Sequence, residues 1–245
     1  MYAVDNAFTT QGDVVKKLGG MSCGSIGYIE SPSASASSKA FLKSCKAAGL
    51  QAPYHTDVHF GSTDVGPVAL KMKSDGVDSA FLATVPSTGF ALAAALKQVG
   101  AKNKAILLPT GYGSQLLSSD AAVQAGQGFY FSTQQQPKEL NTPATQLQTK
   151  RLAAVGENGA PGFDESTAYL GMTGFAAGVK AAGDNLTQDN FMKSLRAVKG
   201  FDAEGLLAPN KVDFSSYSPA SQCSWYVQLK GKTFTPVQGL SLIHI

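Results

Sequence analysis

Three polar side chains alternate along one short stretch, with His55, Asp57 and His59 set between Tyr54, Thr56, Val58 and Phe60. Alternation puts them on one face of a strand, and imidazole and carboxylate are ordinary zinc ligands. No fourth ligand lies nearby, and the same pattern equally makes the wet face of an edge strand, whose polar residues discourage pairing with another chain. Gly20-Met21-Ser22-Cys23-Gly24 satisfies G-x-S-x-G. A nucleophile elbow, however, follows a strand and opens a helix, whereas this one precedes the strand expected at Ser25 to Glu30. Gly111-Tyr112-Gly113 begins a G-x-G-x-x-G pattern that fails at Leu116, and Ser132 and Thr133 stand where a dinucleotide site needs an acid. Walker loops, C-x-x-C and H-E-x-x-H are missing, and no two carboxylates sit at strand ends as acid–base chemistry requires; Glu30 stands there alone. The expectation is a binding protein with no catalytic residue, no resident metal and no cofactor.

The 245 residues are 43% hydrophobic and 15% charged, enough for a sizeable core in one or two domains. A net charge of +3 comes without a basic run, so nucleic acid is not expected as a partner. Cys23, Cys45 and Cys223 match no metal spacing. In a parallel βα unit the end of the helix returns near the start of its strand, which leaves two readings open: a Cys23–Cys45 disulfide, or buried free thiols. Met1-Tyr2-Ala3-Val4-Asp5-Asn6 lacks the basic start and apolar run of an export signal. Leu240 to Ile245 has no structural logic after the last strand; it reads as a translated sequencing adapter, and His244 is set aside with it.

The elements that must position any site centre on residues 61–115. Ser79 to Val85 and Ala105 to Pro109 are short apolar runs, the pattern of parallel strands covered on both faces. Between them, one helix is expected from Thr63 or Asp64 to Gly76 and another from Ser87 or Thr88 to Gly100. This alternation predicts right-handed βαβ units in a doubly wound sheet, whose ligands sit beyond the carboxyl ends of the strands. The candidate solute contacts are therefore Val85, Pro86, Ser87, Thr88, Thr110, Gly111 and Tyr112. Ser31 and Ser33, after the first strand, either offer hydroxyls to a solute or cap the next helix. The rim is expected to be neutral, which suits recognition without turnover.

Elsewhere, Thr9 or Thr10 opens a short helix through Leu18, and another runs through Phe41 and Cys45 to Gly49. Tyr54 to Phe60 reads as an edge strand and Gly128 to Thr133 as a fifth strand. Three consecutive helices follow, from Thr142 to Val155, Asp164 to Ala182 and Thr187 to Val198, the second with Ala168, Met172, Phe175 and Val179 on one face. Lys211 to Phe214 returns to extended structure. Cys223 to Leu229 and Thr233 to Val237 form a hairpin around Lys230-Gly231-Lys232. The switch from alternating elements to consecutive helices marks a change of domain.

The run STDVGPVALKMKSDGVDSAFLATVPSTGFALAAALKQVGA, followed by a strand and a Gly-rich loop, resembles the second lobe of type I periplasmic binding proteins. More narrowly, it is similar to the branched-chain amino acid (Leu/Ile/Val-type) substrate-binding proteins of ABC importers, over about Gly12 to Val237. The resemblance implies an α/β, periplasmic-binding-protein-like I fold. Residues 1–24 would be a crossover and entry helix, 25–134 the C-terminal lobe, 135–210 helices of an N-terminal lobe whose sheet is missing, and 211–239 the crossing strands and the end of the C-terminal lobe. It also implies a monomer outside the cytoplasm, in the periplasm or on a lipid anchor, that closes two lobes over a small solute and docks on an ABC permease; Met1 would then be internal to a longer gene. In amino-acid-binding members an acid after the fourth strand holds the ligand ammonium and an aromatic follows the third. Here those positions match Gly111 and Val85, which points away from an unmodified α-amino acid unless Glu30 or the missing lobe substitutes; the solute expected from the resemblance is a branched-chain amino acid or related small polar compound, and another small amide, carboxylate or apolar solute fits as well. A ligand-sensing domain of a receptor has the same fold, and a Rossmann-like enzyme remains the more distant alternative.

Overall fold

The computed structural model describes residues 10–215 and 224–237. Thr9, Cys223 and the two chain ends discussed above lie outside them. The elements run α1 (Thr10–Lys17), β1 (Ser22–Tyr28), α2 (Pro32–Ala47), β2 (Gln51–Val58), α3 (Gly66–Ser74), β3 (Ser79–Leu82), α4 (Pro86–Gln98), β4 (Ala105–Leu108), α5 (Ser114–Leu117), α6 (Asp120–Ala125), β5 (Tyr130–Thr133), a 3-10 turn (Lys138–Leu140), α7 (Pro143–Ala153), α8 (Phe163–Ala182), α9 (Gln188–Ala197), β6 (Trp225–Lys230) and β7 (Thr233–Pro236). The strands form one sheet in the order β2-β1-β3-β4-β5-β6-β7. Pairing is parallel from β2 through β5 and antiparallel for β6 and β7. The doubly wound reading holds, and the alternating stretch at 54–58 does lie on an edge strand.

The apolar runs are central because both of their faces are covered. Ala80, Leu82, Ile106 and Leu108 point into a core shared with Ala69 and Met72 of α3, Leu92 and Leu96 of α4, and Val123 of α6. Phe81, Leu107 and Ala105 point the other way, against Val14 and Val15 of α1 and Phe41 and Cys45 of α2. Each strand thus divides its residues between two helical layers, as its period of two demands. Cys23 and Cys45 settle the open thiol question as a disulfide, with Cα atoms 6.5 Å apart. It joins the start of β1 to the end of α2, where the βα geometry brings them together.

Several boundaries move for identifiable reasons. β1 starts at Ser22, three residues before the expected Ser25, with its glycines inside the strand. A Cβ on Gly27 would lie 2.7 Å from Ser35 Cα, so that glycine is what lets α2 pack close on β1. Ser22 therefore opens a strand, and the G-x-S-x-G match is not an elbow. β2 begins at Gln51, recruited by its pairing with Ser22, and Pro53 is tolerated because the strand is at the edge. β3, β4 and β5 are shorter than expected, ending or starting inside their apolar runs. Thr63 and Asp64 do not cap α3; Val65 stands at the N-cap position, with no side-chain bond to the first turn. A start at Thr63 would put Pro67 where the first helical N–H is needed, whereas a start at Gly66 keeps Pro67 in the first turn. Pro86 likewise occupies the first position of α4, with Val85 as its N-cap.

Lys211 to Phe214 is not a strand of the sheet. Residues 201 and 212 form an isolated antiparallel bridge, and the Phe201 and Phe214 rings pack at a tilt with centroids 5.1 Å apart. α8 and α9 pack on each other through Phe175 and Phe191, whose ring centroids are 5.2 Å apart, and Gly178 gives Phe191 room. α8 is bare around Met172, which is 64% exposed, and Phe175 remains 51% exposed despite its contact with Phe191.

Candidate functional site

The site begins where β3 and β4 end. Thr110, just past β4, donates from its hydroxyl to the Thr84 carbonyl at 2.7 Å and ties the two following loops together. Tyr28, at the end of β1, reaches the same place. Its hydroxyl accepts from the Val85 N–H at 2.9 Å and donates to the Thr88 hydroxyl at 3.1 Å, pinning the entry of α4. Nothing in the sequence singled out Tyr28, which reads there as one more strand residue.

A second anchor sits behind Tyr112. Its hydroxyl donates to Glu139 Oε2 at 2.7 Å and accepts from the Lys138 N–H at 3.1 Å, while its ring lies edge-on to Phe234 with centroids 4.9 Å apart. Burial, reinforced by the neighbouring Glu139 charge, pushes the Tyr112 phenol far up, so it remains a neutral donor. Burial also raises the Glu139 carboxyl above its ordinary range, against the opposing pull of the hydrogen bond from Tyr112.

The third wall comes from far along the chain. Gly113 has φ 133° and ψ 171°, a conformation essentially restricted to glycine. A Cβ there would fall 2.8 Å from the Gly162 Cα. With that space free, the Ser114 N–H donates to the Ala160 carbonyl at 3.0 Å and the N-terminus of α8 is held against the β4 loop. The Glu165 carboxylate accepts from the Gly162 N–H at 2.6 Å and closes the first turn.

Together these loops enclose a cleft of about 520 Å³, lined by Val85, Pro86, Phe90, Thr110, Gly111, Tyr112, Gln115, Leu116, Ala122, Gly162, Phe163, Asp164 and Glu165. A concave site of this size, apolar with few polar groups, is the common form of a small-molecule pocket. Five of the expected contacts, Val85, Pro86, Thr110, Gly111 and Tyr112, are brought together on it. Thr88 is buried and holds Tyr28; Ser87 is exposed and outside the lining. Ser31 and Ser33 stand apart at the end of β1, where Ser31 caps α2 by accepting from the Ala34 N–H at 3.3 Å. The expected neutral rim is corrected by Asp164 and Glu165, which the sequence offers only as first-turn acids of a helix. No Lys, Arg or His is among the lining residues.

The alternating polar face of β2 splits. His55 turns toward α2, its Nδ1 3.0 Å from the Ser25 hydroxyl and its Nε2 3.5 Å from Asp57 Oδ1. Asp57 also accepts from the Ser35 hydroxyl at 2.7 Å. His59 instead faces Glu30, at 2.6 Å. Burial holds the His55 imidazole below its ordinary pKa, partly offset by Asp57. Ser25, His55 and Asp57 superficially form a nucleophilic set, but Ser25 is fully buried within β1 and no substrate reaches its hydroxyl. Among the described residues no group of three or more His, Cys, Asp or Glu is arranged to hold a metal, and no helix is long and apolar enough to cross a membrane.

Solved structures share this architecture. A solute-binding protein of an ABC transporter from R. palustris, in complex with benzoate, is 17% identical with a TM-score of 0.68 over 94% of this chain and 61% of its own. A fatty acid ABC transporter substrate-binding protein from Thermomonospora curvata is 17% identical with a TM-score of 0.73, over 95% and 63%. A branched-chain amino acid ABC transporter protein from Thermus thermophilus with bound valine is 20% identical with a TM-score of 0.72, over 95% and 64%. The chain thus spans less than two thirds of the length of these three structures. No curated protein matches the chain. The family model described as "Periplasmic binding protein" matches residues 2–233, nearly the entire length, and the chain belongs to that family.

Proposed function

We propose that the chain is the solute-capturing part of an ABC importer, working outside the cytoplasm and handing a small molecule to a permease without transforming it. The observation that carries this reading is the 520 Å³ cleft beyond β3 and β4, with Phe90, Leu116 and Pro86 as apolar walls and backbone groups of Gly111 and Gly162 among them. Val85, Pro86, Thr110, Gly111 and Tyr112 are the proposed solute contacts; Ser31 and Ser33 lie outside this wall and belong to the solute path only if a second lobe closes over them.

A two-lobed organisation is part of the proposal. Residues 25–134 with 211–239 form one lobe, and the helices of 135–210 dock on the sheet of another. The exposure of Met172 and, beside its contact with Phe191, of Phe175 supports that assignment, since large exposed apolar side chains on a helix mark an interaction surface. The test is a thermal-shift panel of small amines, amides, carboxylates and amino acids on the chain and on Val85→Arg, which projects a long cationic side chain into the cleft. A solute that raises the melting temperature of the chain and not of Val85→Arg supports the reading. Equal shifts in both place binding elsewhere and refute it.

A further inference from the structure

We propose that this cleft selects a solute carrying a positive charge on an apolar body and holds that charge at the Asp164 carboxylate. The inference rests on the solute-binding reading above and names the class of solute. Three observations combine. The walls formed by Val85, Pro86, Phe90 and Leu116 are apolar, so the bulk of the solute is apolar too. The charges at the cleft are all of one sign. The charged residues that line it are Asp164 and Glu165. Finally, the two lining carboxylates are not equivalent. Glu165 is engaged by the Gly162 N–H at 2.6 Å, whereas Asp164 is exposed and free to meet a ligand.

The partial positive charges at the N-termini of α4 and α8, about half an elementary charge each, do not cancel two carboxylates. A solute whose only charge is a carboxylate therefore meets repulsion here, and one with an ammonium meets attraction. The expected position for an ammonium-holding acid, Gly111, is closed: a Cβ there would already lie 3.0 Å from Phe131 and 3.3 Å from Pro86, at φ 98°.

Three probes sharing one ring test this by isothermal titration: 2-phenylethylamine, phenylacetamide and phenylacetate. The amine should bind tighter than the amide by roughly twofold to fivefold, the range for one partly exposed ion pair, and the carboxylate weakest. Asp164→Asn should bring the amine-to-amide ratio to about one, and 0.5 M salt should shrink the same ratio in the unaltered chain. Tightest binding of phenylacetate, or an amine preference that survives in Asp164→Asn, overturns the inference while the cleft reading stands, provided Val85→Arg still abolishes binding. If no probe binds, or Val85→Arg binds all three as before, both readings fall together.

Discussion

Gly113→Ala tests whether the α8 wall of the cleft is held by a close backbone approach. The residue sits at φ 133° with ψ near 180°, where an L side chain costs about 1–3 kcal/mol. Its Cβ would also fall 2.8 Å from Gly162 Cα and 3.0 Å from Gly162 N, backbone atoms that cannot rotate away. Forcing such a contact apart adds about 1–3 kcal/mol, by analogy with overpacking. A total near 3 kcal/mol lowers the melting temperature by roughly 6–12 °C for a chain of this size. Gly128→Ala is the control: its φ is 81°, and its Cβ would meet nothing within 4 Å, so it carries backbone strain alone and should cost about 1 kcal/mol. Hydrogen exchange supplies the local readout. The Ser114 amide, which donates to Ala160, should lose protection in Gly113→Ala and keep it in Gly128→Ala. Equal destabilisation in the two variants, or an unchanged Ser114 amide, would refute the idea that this glycine seats α8 at the cleft.

Other consequences are more local. The Cys23–Cys45 disulfide closes a 22-residue separation, which on chain-entropy grounds stabilises the fold by about 3 kcal/mol; reductant should lower the denaturation midpoint accordingly, and no change would contradict the bridge. Burial raises the Glu139 carboxyl above 4.5, so the folded chain keeps a proton that the unfolded chain has lost, and stability should fall as pH rises from 4.5 through the folded value. Glu139→Gln removes that proton, and the stability difference between the two chains should change within the same window; a difference independent of pH argues against a buried, raised carboxyl. Phe131 is fully buried in the central core, and Phe131→Ala should cost about 3–5 kcal/mol, whereas Met172→Ser on the bare face of α8 should stay within about 0.5 kcal/mol by chemical denaturation. A large loss at Met172 would mean that face is already covered in the chain as it stands.

Much of the sheet was legible because local signals agreed with the fold. The runs at 79–82 and 105–108 are apolar and short, Pro86 and Thr142 mark helix starts, and the turn Gly231-Lys232 joins an antiparallel pair. α5 and α6 were not legible: at four and six residues they are too short to show a helical period. The strand at Ser22 was obscured by Gly24 and Gly27, whose role is to admit Val77, Met72 and Ser35 and not to break the strand. Half of the cleft could be placed in advance because a parallel sheet puts its ligand beyond the strand ends. The other half depends on α8 returning to the β4 loop about fifty residues later, a long-range contact without local pattern. Gly111, Gly113 and Gly159, all at positive φ, were its only sequence trace. Asp164 and Glu165 look in sequence like ordinary first-turn acids; only the contact made through Gly113 brings them to the cleft.

Backbone amide chemical-shift mapping, with the solute that gives the largest thermal shift, tests the central claim most directly. Solute capture at the cleft predicts saturable shifts concentrated at Gly111, Tyr112, Phe163 and Asp164, on both sides of the Gly113–Gly162 approach. Shifts that gather instead along Lys138, Thr149 and Lys150, or over Met172 and Phe175, would contradict it.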